Sequence, residues 1–245
     1  MRMARRWFEN EGKREDMATA VLDNKELKLQ RMEKTGGTML SRRAYNAVIG
    51  AVLGVGLIIN AAMAQFLPAS AFELMAQYPW AVLIGFIVVS IGSFFIIYKS
   101  DNPAVSFLGF IVLSAAFGYL VAATVQSYTD TTVTRAFMLT AAISIAMVVA
   151  ATLVPNIFAK MGTALLAALV ITLIAEVATI FITQSHPIAF DYIFVIVFAL
   201  YIGYDWQKAQ AYPPTLDNAV DSAADIYVDI VNLFVRLLAI LGRSK

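Results

Sequence analysis

The chain has no cysteine and a single histidine, His186. The first absence excludes disulfide frameworks, thiolate catalysis and cysteine-based metal sites. One histidine does not build a histidine-rich metal centre, and beside Pro187 in a short connection it reads as an ordinary loop residue. Charge is scarce: 14% of the 245 residues are Asp, Glu, Lys or Arg, against 60% hydrophobic. Soluble domains are nearer one-quarter charged, and a water-soluble chain of this length needs more polar surface than these residues supply. The composition is that of a membrane protein. The formal net charge of +1 forms no nucleic-acid-binding stripe, because the basic residues sit beside apolar runs, so nucleic acid is not an expected partner.

Proline is absent from the interior of every long apolar run. Pro68, Pro79, Pro103, Pro155, Pro187, Pro213 and Pro214 all fall between runs, where proline ends a helix without breaking buried hydrogen bonds. The runs they separate are 45–67, 80–98, 104–125, 136–154, 163–183, 188–204 and 219–241. Each has about the length needed to cross ~30 Å of hydrocarbon at 1.5 Å per residue. An all-α integral membrane protein with seven transmembrane helices is expected, its short connections making successive helices antiparallel neighbours. Glycine and alanine within the runs (Gly50, Gly54, Gly56, Ala141, Ala164, Ala168) permit close helix packing.

Two segments follow from charge: 1–44, a charged N-terminal part, and 45–245, the transmembrane domain. The first holds 11 of the 18 Lys and Arg residues and 7 of the 17 acids. Its stretch 17–34 has mixed charge and a sparse apolar face, the pattern of a surface helix, ended by Gly36-Gly37. Lys99, Lys160 and Lys208 follow the second, fourth and sixth runs, while the other connections lack Lys and Arg apart from Arg135. The positive-inside rule then puts the N-terminus in the cytoplasm. Seven spans leave Arg243 and Lys245 outside, against the rule. A last segment that re-enters and returns would remove the conflict.

Polar groups inside a membrane are functional candidates. Asp217, Asp221, Asp225 and Asp229 recur at intervals of four in the last run, and Asn232 and Arg236 continue the face. Steps of four share one side of a helix, and the opposite side is apolar (Ile226, Ile230, Leu233, Leu237). The acidic side therefore faces water, a cavity or other helices. Asp217 and Asp221 fall in the first turns after Pro213-Pro214, where negative charge suits the helix dipole, and are expected to be wet. Asp225 is intermediate. Asp229 lies roughly 18–20 Å along a helix starting near Leu216, too deep for capping. Asp205 is its natural partner if the sixth helix continues through Trp206 and the hairpin folds the two together. Two adjacent carboxylates cannot both ionise cheaply and titrate as a unit. When ionised they attract hard cations such as Ca²⁺, a transient metal role for Asp205 and Asp229. Lys99 is a candidate counter-charge, and Glu176 is expected to line an outer vestibule or pair with Arg135.

The stretch Tyr201-Ile202-Gly203-Tyr204-Asp205-Trp206-Gln207, followed by Ile226-Tyr227-Val228-Asp229-Ile230-Val231-Asn232-Leu233-Phe234, resembles the signature of the Bax inhibitor-1 family. The resemblance covers about residues 45–245 and leaves the charged N-terminal part outside. It implies two three-helix groups around a central seventh helix, and a pH-sensitive Ca²⁺ leak whose paired aspartates are Asp205 and Asp229. It also implies a basic latch at the end of the second helix, for which Lys99 is the nearest match.

The leading expectation is a leak for cations, Ca²⁺ foremost, in a bacterial inner membrane, gated by protonation of the Asp205–Asp229 pair. Ca²⁺ is then a permeant ion and no cofactor is required. The alternative is a regulatory protein, conducting nothing, that binds a membrane protease or a cell-death factor through its N-terminal part. An intramembrane aspartyl protease is disfavoured, since Gly203-Tyr204-Asp205 is only a fragment of the motif such enzymes carry. The chain is not expected to be an enzyme.

Overall fold

Residues 39–243 are described by a computed structural model. The charged stretch before them, with the surface helix expected over 17–34, lies outside the described residues. Among the described residues there are seven long helices: α1 (Arg42–Phe66), α2 (Pro79–Lys99), α3 (Pro103–Val125), α4 (Asp130–Leu153), α5 (Gly162–Thr183), α6 (Ile188–Ala211) and α7 (Leu216–Arg243). Short helical turns at Ala69–Phe72, Glu73–Gln77 and Pro155–Phe158 fill two connections, and no strand occurs among the described residues.

Local chemistry sets the boundaries. Pro79 and Pro103 occupy the first positions of α2 and α3, where a missing N–H costs nothing. Ser41 caps α1 by accepting from the Ala44 N–H at 3.2 Å. Asn102 caps α3 through its Oδ1, 3.0 Å from the Ala104 N–H. Helix α1 therefore begins at Arg42, inside the segment expected to be a tail. Likewise α4 starts at Asp130, six residues before its apolar run, because Thr129 caps it. Helix α5 ends on Gln184 in the left-handed conformation, φ 53°.

Helices α1 to α6 are long and apolar enough to cross a membrane, at 21 to 25 residues each, or about 32–38 Å. Their outward faces are hydrocarbon: Ile84, Val88, Ile91 and Phe95 on α2 and Ile171, Ile174 and Phe181 on α5 are exposed. A chain that presents such faces is a multi-pass integral membrane protein. Helix α7 differs. It is 28 residues long, too charged to be classed with the six, and sixteen of its residues are buried.

Two groups of three helices pack on themselves. In one, α3 lies against both α1 and α2; in the other, α6 lies against both α4 and α5. Helix α7 packs most extensively against α6 and also touches α1, α3 and α4. Small residues let it approach: Ala219, Ala223 and Ala224 are fully buried. Larger anchors fix its register. The Tyr227 hydroxyl lies 2.8 Å from the Asn60 side-chain amide on α1, and its ring meets Phe110 edge-on at 5.3 Å. Gly56 makes room for this contact, since a Cβ there would come within 2.8 Å of both Tyr227 and Phe110.

Candidate functional site

The α6–α7 hairpin holds two charged clusters, one at the turn between the helices and one at their far ends. At the turn end, Asp205 on α6 and Asp229 on α7 are 8% and 6% exposed, and their carboxyl groups lie close enough to interact. Two buried carboxyl groups placed side by side cannot both ionise cheaply. The second oxygen of Asp229, Oδ2, is buried without a hydrogen-bond partner. Lys208, one turn beyond Asp205, reaches Asp205 Oδ1 at 3.3 Å and Asp225 Oδ2 at 3.0 Å. The Tyr98 hydroxyl of α2 donates to the other oxygen of Asp225. The cluster thus joins α2, α6 and α7.

Lys99, the candidate latch, is exposed at the end of α2. Its neighbour Tyr98 faces the acids instead, and the ammonium beside the pair is that of Lys208. The signal for Lys208 was present as an i, i+3 pair with Asp205 on one helix face.

Asp217 and Asp221 correct the expectation of a wet entrance: they are 5% and 0% exposed. The chain around the start of α1 closes over them. Leu40 donates to the Pro214 carbonyl at 2.8 Å and Arg42 to the Tyr212 carbonyl at 3.0 Å. The Tyr45 hydroxyl sits 3.2 Å from Ser222 Oγ. Asp217 accepts from Ser106 of α3 at 2.7 Å.

At the far end, Glu176 of α5 is buried and bidentate with Arg236 of α7, with contacts of 2.5 and 3.0 Å. Arg236 also donates to Asp191 Oδ1 at 3.0 Å and stacks over Phe194, its guanidinium carbon 4.0 Å from the ring centre. His186 Nε2 lies 2.6 Å from Glu176 Oε1, and Arg243 lies 2.6 Å from His186 Nδ1. The partner of Glu176 is therefore Arg236; Arg135 is exposed. His186 is more than a loop residue, because the α5–α6 connection turns its ring inward onto buried acids. Asp191 was missed. The available signal was one acid three residues into an otherwise apolar run, matched by one arginine within the apolar half of the last.

Glu176, His186 and Asp191 offer ligand atoms within 4.8 Å of one another. Two guanidinium groups already balance the two carboxylates, so no net negative charge is left to hold a divalent cation, and the arrangement is an ion-pair network. Among the described residues, acids outnumber cations at the turn end. Between the clusters the buried residues are apolar, among them Phe194, Phe198 and Ile202 on α6 and Val231 and Leu233 on α7.

These features define a helical, multi-pass membrane protein with a carboxyl pair in its core. The sequence profile described as "Inhibitor of apoptosis-promoting Bax1" matches residues 39–245, and the chain belongs to this Bax inhibitor-1 family. It is 24% identical over 192 residues to an uncharacterized protein of Helicobacter pylori strain J99, covering 76% of this chain and 81% of the relative. An uncharacterized membrane protein of Streptococcus pyogenes serotype M1 is 25% identical over 209 residues, 81% of this chain and 90% of its own. Inner membrane protein YbhL of Escherichia coli K12 is 24% identical over 217 residues, 83% and 93%.

Proposed function

We propose that the protein is a pH-sensitive cation leak, with Ca²⁺ the permeant ion, gated by the proton that Asp205 and Asp229 share. The observation that carries this reading is the pairing of two buried carboxyl groups where α6 and α7 meet. With the proton present, the two groups tie the helices together. With the proton lost, two adjacent negative charges repel across the α6–α7 contact and attract a divalent cation. Lys208 and Tyr98 hold Asp225 beside the pair, so a change at the pair reaches α2 as well. The apolar stretch between the clusters is the closed part of the path, and opening requires α7 to move against the two helix groups. The protein performs no covalent chemistry in this reading, and Ca²⁺ passes without serving as a cofactor.

The same reading takes α7 as a seventh span at the centre of the bundle. The Lys208 end faces the cytoplasm and the His186 end the outside of a bacterial inner membrane. The basic N-terminal segment supports that orientation, and the E. coli relative is an inner membrane protein. Single cysteines introduced at Asp101 and at Gln184 test it, since the chain has none of its own. An impermeant thiol reagent added to intact cells should label only the second.

Ca²⁺ flux into proteoliposomes tests the leak itself. The wild-type chain is expected to pass Ca²⁺ above the level of empty vesicles, with a rate that depends on pH. Asp229→Asn keeps a hydrogen-bonding side chain but cannot ionise, and its flux is expected to lose the pH dependence. Flux equal to that of empty vesicles across the pH range would sink the proposal.

A further inference from the structure

The leak reading makes no use of His186, yet its surroundings are built around it. It is the chain's one histidine, with a side chain 29% exposed, so water reaches it. Its ring nitrogens face different chemistry. Nδ1 lies 2.6 Å from Arg243 Nη2; a guanidinium has only donors, so Nδ1 accepts and carries no hydrogen. Nε2 lies 2.6 Å from Glu176 Oε1; the carboxylate, already bidentate to Arg236, accepts, so Nε2 carries the hydrogen. The partners thus select the neutral Nε2–H tautomer.

One acceptor is left over. Asp191 is 1% exposed, and its Oδ1 is taken by Arg236. Its Oδ2 is buried without a hydrogen-bond partner. That oxygen lies 3.7 Å from His186 Nδ1 and 3.9 Å from Arg243. An unpaired buried carboxylate oxygen beside a nitrogen able to gain a proton is an unfinished contact.

We propose that His186 is a proton switch: on taking up a proton at Nδ1 it exchanges Arg243 for Asp191 and frees the last turn of α7. A proton on Nδ1 removes the acceptor that Arg243 uses and makes the ring a cation facing a cation. The same N–H supplies the donor that Asp191 Oδ2 lacks, after a small turn of the ring. Arg243, with a side chain 41% exposed, passes into water and gives up its 2.8 Å bond to the His186 carbonyl. The charged groups facing the ring are Glu176 from α5, Asp191 from α6, and Arg236 and Arg243 from α7. Arg236 keeps both carboxylates throughout, so the release is confined to the residues beyond it.

The switch stands independently of the Asp205–Asp229 reading. The full-length chain in lipid nanodiscs, labelled with ¹³C,¹⁵N-histidine, gives one set of imidazole resonances. The Nε2–H tautomer is expected at neutral pH, with Nδ1 gaining a proton as the sample is acidified through a pH series. Spin labels on Gln184→Cys and Leu241→Cys report the distance from the α5–α6 connection to the last turn of α7. That distance is expected to lengthen and broaden over the same pH range. It is expected to stay at its neutral-pH value in His186→Gln, and to keep its acid response in Asp229→Asn. An Nδ1–H tautomer at neutral pH overturns the proposal, as does titration of the ring without a change in distance. Loss of the response in Asp229→Asn would assign the movement to the pair at the other end and overturn it equally.

Discussion

The two charged clusters on α7 sit on one helix, with Asp229 and Arg236 about 10 Å apart along its axis, yet they are built on opposite plans. At the turn end, among the described residues, Asp205 and Asp225 share the Lys208 ammonium, with Asp229 beside them. At the far end, Glu176 and Asp191 meet two guanidinium groups. Among the described residues the first cluster has more acids than cations, an excess that a proton or a visiting cation completes in the proposed leak. The second is already balanced and leaves no charge for a visiting cation to neutralise. The difference separates a place with acid to spare from a place where helices are clamped, and the proposed leak puts its permeant cation at the turn end.

Breaking the clamp has the largest expected effect. Arg236→Ala leaves two carboxylates buried without their cation, a loss of about 3–5 kcal/mol, read as thermal unfolding in detergent. Arg236→Lys should recover part of it, because lysine restores the charge but not the bidentate fork. A loss below about 1 kcal/mol would mean that water, rather than Arg236, balances the acids. Next comes Tyr98→Phe, which removes the hydroxyl bonded to Asp225 and should lower stability by about 1.5–3 kcal/mol, as for hydrogen bonds to charged groups. The same unfolding measurement reads it, and no change would detach α2 from the cluster.

Smaller changes sharpen the contrast between two lysines. Lys208→Gln should alter the pH profile of Ca²⁺ flux, because its ammonium touches Asp205 and Asp225. Lys99→Gln should leave the profile unchanged, because Lys99 is exposed. The reverse result would restore Lys99 as the latch. Smallest of all is the effect of deleting residues 1–34, which should leave flux intact. A loss of flux there would favour a regulatory role working through the N-terminal segment.

Much of the architecture was legible because a membrane imposes one rule on every span. Apolar runs bounded by Pro79, Pro103 and Pro187 marked helix starts to within a residue or two. Helix α4 was misread at its start because Thr129 and Asp130 cap it with polar residues that hydropathy counts as loop. The meeting of Asp205 and Asp229 follows from hairpin geometry, given a sixth helix that runs on to Ala211. The Glu176–Arg236 clamp was hidden for the opposite reason. Its partners lie sixty positions apart on helices that no short connection joins, and nothing in local spacing links them. The burial of Asp217 and Asp221 was hidden too. A first-turn carboxylate is wet only if nothing covers it, and the cover here comes from Leu40, Arg42 and Tyr45 at the other end of the chain.

The central claim is that Asp205 and Asp229 act as one titrating unit that gates the leak, and side-by-side flux measurements test it most directly. Ca²⁺ entry into proteoliposomes would be recorded from acid to alkaline pH for the wild type, Asp205→Asn and Asp229→Asn. A pH-dependent rate is expected for the wild type and the same flat profile for both variants, because removing either carboxyl removes the shared proton. A wild-type pH profile in either variant would contradict it.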